Sequence, residues 1–137
     1  MMRMRDAVAS AAQGLIGVRF RPQGRDPAYG LDCVGVVVVA LTRAGYPVIV
    51  EGDYALRGSN PAQISEAMDA ARLRRIDDAQ RAPGDILLMQ AGPLQLHLGI
   101  LTDAGTIHAD AGLRRVVETP GMPRWPVLGI WRCEEVG

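Results

Sequence analysis

The rhythm of apolar positions changes near residue 83. Upstream, apolar residues recur at helical spacing. Ala7, Val8, Ala11 and Ala12 share one face of a helix over residues 3–14, which Gly14 can end. Asn60-Pro61 is an N-cap followed by proline at N1, and Ile64, Ala67, Met68 and Ala71 form one apolar face, so the spacing predicts a helix over 61–73. Between them, Arg21 to Gly30 is rich in turn formers. Downstream, short apolar runs alternate with Gly, Pro and Asp turns. These predict strands at Asp85–Gln90, Leu96–Thr102, Thr106–Ala109, Arg114–Glu118 and Val127–Arg132, with a hairpin turn at Asp103-Ala104-Gly105. Helices first and strands second imply an α+β fold with helices packed on a C-terminal antiparallel sheet.

One segment resists this reading. Val34 to Leu41 is apolar on every side, and Val36 to Val39 are four consecutive β-branched residues, which favour a strand. Its flanks favour a helix: Asp32 is a good N-cap and Gly45 a good C′ residue. Periodicity alone leaves both open.

Composition narrows the class. At 137 residues the chain is expected to form a single domain, 1–137, large enough for a hydrophobic core. Fifteen basic residues, all arginine, balance fifteen acidic ones, so no net charge recruits nucleic acid or an anionic membrane. The longest apolar run is too short to span a bilayer, and no apolar h-region follows the charged N-terminal residues. The chain is therefore expected to be made in the cytoplasm without a signal peptide. Two cysteines, Cys33 and Cys133, lie far apart, and a disulfide between them is poorly motivated in a reducing compartment.

Few residues can carry chemistry. The only histidines, His97 and His108, fall on predicted neighbouring antiparallel strands, close enough to meet. If the apolar run is a helix, Cys33 sits in its first turn, where backbone N–H groups and the helix dipole favour a thiolate. One histidine could then exchange the proton and the other orient it. Blander readings stand beside this one. Cys33 could be a small buried hydrophobe, either histidine could be a core residue, and Cys33, His97, His108 and an aspartate could bind zinc, although no CxxC or HxxxH spacing supports it. Cys133 beside Trp131 reads as packing, Asp103 and Asp110 as turn residues, and Arg114-Arg115 as a solvated strand end.

Several motifs together resemble one family. Gly30-Leu31-Asp32-Cys33-Val34-Gly35 resembles the Asp-Cys-Ser-Gly helix start of the NlpC-type cell-wall endopeptidases, a branch of the papain-like cysteine peptidases. Pro83-Gly84-Asp85-Ile86-Leu87 resembles that family's Pro-Gly-Asp lead into a strand. His97-Leu98-Gly99-Ile100-Leu101 is similar to its His-Val-Gly-Ile-Tyr strand, and Thr106-Ile107-His108-Ala109 to its Phe-Ile-His-Ala strand. Gly17-Val18-Arg19-Phe20 resembles its Gly-Thr-Pro-Tyr segment. The motifs occur in the family's order across residues 3–132.

The resemblance implies a papain-like fold in which Val34–Leu41 belongs to the central helix. It implies Cys33 as nucleophile, His97 as general base and acid, and His108 as the residue orienting His97, with the Cys33 backbone N–H helping to hold the oxyanion. No metal or cofactor is implied. The implied substrates are peptidoglycan stem peptides, commonly cut between D-glutamate and diaminopimelate. Stand-alone domains of this type resemble those encoded with phage-tail or gene-transfer-particle genes, which implies tail-like partner proteins and action in the periplasm or cell wall. Two positions depart from the pattern: Val34 replaces the family's Ser, and Phe20 its Tyr. Phe20 cannot donate a hydrogen bond, and losing an oxyanion donor costs about 100-fold or more in rate. Tyr29 is a candidate substitute. A binding or structural module, or an amidase or acyltransferase of the same fold, are the competing functions.

Overall fold

The apolar run at Val34–Leu41 is helical in the computed structural model, which describes residues 2–48 and 60–134. Its ends explain why β-propensity loses. Asp32 is extended (φ −98°, ψ −172°) and its carboxylate accepts the Gly35 N–H at 2.8 Å. At the other end Gly45 turns left-handed (φ 92°), and the Tyr46 N–H returns to the Leu41 carbonyl at 2.8 Å. Between these caps Val34, Val36 and Val37 are buried and Val38 and Val39 pack half-buried against the core, and packing decides what propensity could not.

In chain order, α1 (Met4–Gln13) leads to a small hairpin of β1 (Arg25–Asp26) and β2 (Gly30–Leu31), then to α2 (Cys33–Arg43). α3 (Pro61–Ala70) follows, then β3 (Arg74–Arg75) and a 3₁₀ turn at Asp78–Gln80. The remainder is β4 (Ile86–Gly92), β5 (Gln95–Leu101), β6 (Gly105–Asp110), β7 (Arg115–Pro120) and β8 (Val127–Arg132). Six strands form one antiparallel sheet in the order β3-β8-β4-β5-β6-β7. The expected α+β architecture is therefore what forms.

The differences from expectation are local. The Arg21–Gly30 stretch contains the β1–β2 hairpin, whose two-residue strands are too short to leave a periodic signal. α3 begins with the expected cap, in which Asn60 and Gln63 bond reciprocally, but it ends at Ala70 rather than 73. Arg72 adopts φ 60°, Leu73 drops into the core, and Arg74–Arg75 are recruited to pair with Trp131 and Arg132. On α1 the buried face is Val8, Ala9 and Ala12, because the helix is rotated slightly from the face read in the sequence.

Alternation along the strands splits the core in two. Ile86, Leu88, Leu96, Leu98, Ile100, Ile107 and Ala109 face the helices. Leu87, Met89, Leu101 and Ile130 form a smaller cluster on the opposite face, with Trp125 and Val127 against it. The segment after α1 covers the β7 edge: Gly17 and Phe20 donate to the Val116 and Arg114 carbonyls, and Val116 donates to Val18.

The Pro83-Gly84-Asp85 motif has a structural role. Gly84 has φ 93°, and a Cβ there would collide with the Arg5 carbonyl oxygen. Asp85 is fully buried. It accepts from Arg132 Nε at 2.8 Å and Nη2 at 2.9 Å, and from the Ala82 N–H at 2.8 Å. Arg132 Nη2 also reaches the Gln80 carbonyl at 2.9 Å, so one buried pair joins the end of β8 to the turn before β4.

Candidate active site

Cys33 opens α2, and its position is set by the residue before it. The Asp32 carboxylate accepts the Gly35 N–H at 2.8 Å, the Gln23 N–H at 2.9 Å and Arg25 Nη1 at 2.7 Å. Three donors from two segments hold the helix start. Gly35 is needed for the same junction, because a Cβ there would collide with the Gly24 carbonyl oxygen. The glycine two residues after the cysteine thus has a steric reason independent of chemistry at the sulfur.

The pairing of β5 with β6 covers only Ile100–Ile107 and Leu101–Thr106. His97 and His108 lie beyond this pairing, and α2 packs against both strands. Cys33, His97 and His108 line one cleft of about 790 Å³, together with Phe20, Val34 and Trp125. The structure therefore brings together all three residues singled out in the sequence.

The histidines are coupled directly. His97 Nε2 lies 2.9 Å from His108 Nδ1, with the rings edge to face at 84°. His108 Nε2 lies 2.9 Å from Thr119 Oγ1. Trp125 meets both imidazoles edge to face, with centroids 5.2 and 5.7 Å away. His108 is buried and His97 half-buried. No hydrogen bond joins the Cys33 thiol to His97. The backbone N–H groups of Leu98 and Val34 approach the sulfur instead.

The electrostatics differ from the expected low-pKa thiolate. Burial pushes the Cys33 thiol up to about 12, and the Asp32 carboxylate adds to the rise. The Leu98 and Val34 amides and Arg25 oppose it, but desolvation wins. Burial, aided by His108, holds His97 down at about 4, and burial also lowers His108, against the pull of Asp110 on both rings. At neutral pH the site therefore rests as a thiol beside two neutral imidazoles.

These shifts predict how stability depends on pH. The folded state resists protonating His97, so between about pH 6.5 and 4 the unfolded chain binds more protons. Stability is full above pH 6.5 and falls as the pH drops through that window, by about 3 kcal/mol from His97 alone. Urea unfolding at pH 7 and pH 4 measures it. His97→Gln should flatten the slope over this range; an unchanged slope would assign the loss to other groups.

The other candidate residues lie as follows. Cys33 and Cys133 are both free, and Cys133 is core packing. Among the described residues no group of three or more His, Cys, Asp or Glu side chains converges to hold a metal ion. Tyr29 is 64% exposed and does not line the cleft, so it does not replace the hydroxyl missing at Phe20; the β1–β2 turn carries it outward. Asp110 does cap a turn, accepting the Leu113 N–H at 2.9 Å, but it also lines the cleft and acts on both histidines. Sequence reasoning missed Thr119 and Trp125. Nothing local marks Thr119, whereas Trp125 between two prolines offered a weak signal as an aromatic in a turn segment.

No family model matches the sequence, and no curated protein matches it. Solved structures do match. NlpC1 from Trichomonas vaginalis aligns over 94% of this chain and 43% of its own, at 20% identity and a TM-score of 0.69. The NlpC/p60 domain of the peptidoglycan hydrolase SagA aligns over 85% and 88%, at 22% identity and a TM-score of 0.62. RipD from Mycobacterium tuberculosis, described as a non-catalytic NlpC/p60 domain protein adapted to peptidoglycan binding, aligns over 96% and 98%, at 14% identity and a TM-score of 0.59. The chain spans less than half the length of NlpC1. Its architecture, with Cys33 opening a helix that packs on β5 and β6, is the NlpC/p60 fold.

Proposed function

We propose that the chain, acting as one domain over residues 1–137, is a cysteine peptidase of the NlpC/p60 family that hydrolyses amide bonds in peptidoglycan stem peptides, of the D-glutamate–diaminopimelate type. The observation that carries this reading is the single cleft shared by Cys33 at the start of α2 and the hydrogen-bonded His97–His108 pair.

The proposed chemistry follows from that arrangement. His97 Nε2 is occupied by His108, which leaves His97 Nδ1 to take the thiol proton. The sulfur attacks the scissile carbonyl carbon, and the Cys33 N–H helps to hold the resulting oxyanion. The amine departs with the proton returned by His97, and water then hydrolyses the thioester. Catalytic hydrogen bonds in a resting site are commonly long and tighten with substrate bound. Thiolate and imidazolium formed together also stabilise each other, so a neutral resting pair is compatible with this step.

A second reading is favoured by one feature. Phe20 lines the cleft without a hydroxyl, and Val34 fills the position of the family's serine, which would suit a domain that holds a wall fragment without cutting it. RipD is described in such terms. Incubating the purified chain with muropeptides and defined stem peptides, with products identified by mass spectrometry, decides between them. The peptidase reading expects free-amine and free-acid products from one amide bond. Saturable binding without products would support the binding module, and acyl transfer or cleavage of another amide would indicate an acyltransferase or amidase.

We further propose that a phage-tail-like or gene-transfer particle carries the domain to the wall, where it acts in the periplasm or cell wall. This rests on the sequence resemblance alone. Immunodetection of the chain in purified particles tests it, and its absence from them would end the idea.

A further inference from the structure

We infer that Thr119 is a positioning residue that sets the tautomers of His108 and His97, so that His97 presents a lone pair and not an N–H to the Cys33 thiol. This rests on the proposed peptidase reading for its catalytic meaning, although the tautomer assignment itself does not.

Three side chains, His97, His108 and Thr119, stand in a row. His97 Nε2 and His108 Nδ1 are 2.9 Å apart, and His108 Nε2 and Thr119 Oγ1 are 2.9 Å apart. With both rings neutral, each carries one N–H, and the proton on one nitrogen is set by the bond the other makes. Only two complete chains exist. In the first, His97 Nε2–H donates to His108 Nδ1, and His108 Nε2–H donates to Thr119 Oγ1. In the second, the Thr119 hydroxyl donates to His108 Nε2, His108 Nδ1–H donates to His97 Nε2, and His97 carries its proton on Nδ1.

The two chains differ in what they offer the sulfur. The first leaves His97 Nδ1 with a lone pair able to accept the thiol proton. The imidazolium so formed keeps its Nε2–H bond to His108, and no proton has to move along the chain. The second leaves His97 Nδ1 already protonated, so the ring has no base to offer. The first also places both imidazoles in the Nε2–H form, which a neutral histidine side chain intrinsically prefers. It requires Thr119 Oγ1 to act as an acceptor, and the β6–β7 register places Thr119 diagonally across from His108, two residues beyond its partner Val117. His108 is 2% exposed, so without that acceptor its Nε2–H would lose the partner it has among the described residues, at a site largely closed to water.

The experiment reads tautomers directly. Long-range ¹H–¹⁵N correlation spectra of the full chain, labelled at histidine ring nitrogens and recorded at pH 7, report which nitrogen bears the proton. Wild type is expected to show Nε2–H on both rings. Thr119→Val should shift His108 and His97 towards Nδ1–H, and Thr119→Ser should restore the wild-type pattern. Where stem peptides are cleaved, Thr119→Val should lower kcat by about 10–100-fold with KM little changed, within the about 10²–10⁴-fold that general acid–base catalysis supplies, and Ser should rescue it. Nδ1–H on His108 in wild type, or tautomers unmoved in a folded Thr119→Val protein, would overturn the inference. Should Val prevent folding, Thr119→Ala, which removes the hydroxyl without adding bulk, is expected to give the same shift, and unmoved tautomers in it would equally overturn the inference. A wild-type protein that cleaves nothing but shows the expected tautomers would sink the peptidase reading and leave the role of Thr119 standing.

Discussion

Cys33→Ala is expected to lower stem-peptide cleavage at least about 10⁴-fold while the protein stays folded. On the proposed mechanism the sulfur is the atom that attacks, and among the described residues no other thiol and no hydroxyl side chain lines the cleft. His97→Gln should fall to a similar floor, and the double variant should fall no further, because nucleophile and base act as one unit. That non-additivity separates a catalytic pair from two residues that each weaken substrate binding. The stability cost should be small. Burial holds the thiol protonated, so the substitution removes no charge, and one buried heavy atom is worth about 1 kcal/mol. Steady-state rates on a defined stem peptide, with thermal unfolding of the same samples, check both halves. A Cys33→Ala protein that still cleaves at near wild-type rate would remove Cys33 from the mechanism.

Arg132→Met is expected to cost about 3–5 kcal/mol of folding stability, because it leaves the Asp85 carboxylate buried without its guanidinium partner. That is a large share of the about 5–15 kcal/mol available to a domain. The Ala82 N–H would remain as a donor to Asp85, but a single amide does not balance a full charge in an apolar site. Replacing both partners, Asp85→Leu with Arg132→Met, should cost clearly less than the sum of the single changes, because the main penalty is the orphaned ion and not the lost pair. Urea unfolding of the two single variants and the double variant measures this. A loss under about 1 kcal/mol for Arg132→Met would mean that the pair is not the tie between β8 and the turn before β4.

The site's skeleton was legible because its determinants are local. Asp32 caps α2 through bonds to its own turn, Asn60 and Gln63 cap α3 reciprocally, and Asp103–Gly105 turns β5 back into β6. Each of these depends on residues a few positions apart, so spacing and residue type reveal them. The two histidines could be placed together for the same reason, through a short hairpin. Val34–Leu41 was illegible by periodicity because a segment apolar on every side has no polar face to mark a period.

What the sequence by itself determined is the order of helices and strands, the main capped ends, and the identity of the three residues that meet in the cleft. What only the tertiary structure decided is their chemical state and their company. The thiol stands at about 12 and His97 at about 4 because both are desolvated by segments far away in the chain. Thr119 and Trp125 reach the histidines, and Tyr29 does not, because sheet pairing and loop paths set those positions. Desolvation and long-range pairing are properties of the packed chain, and no local spacing encodes them.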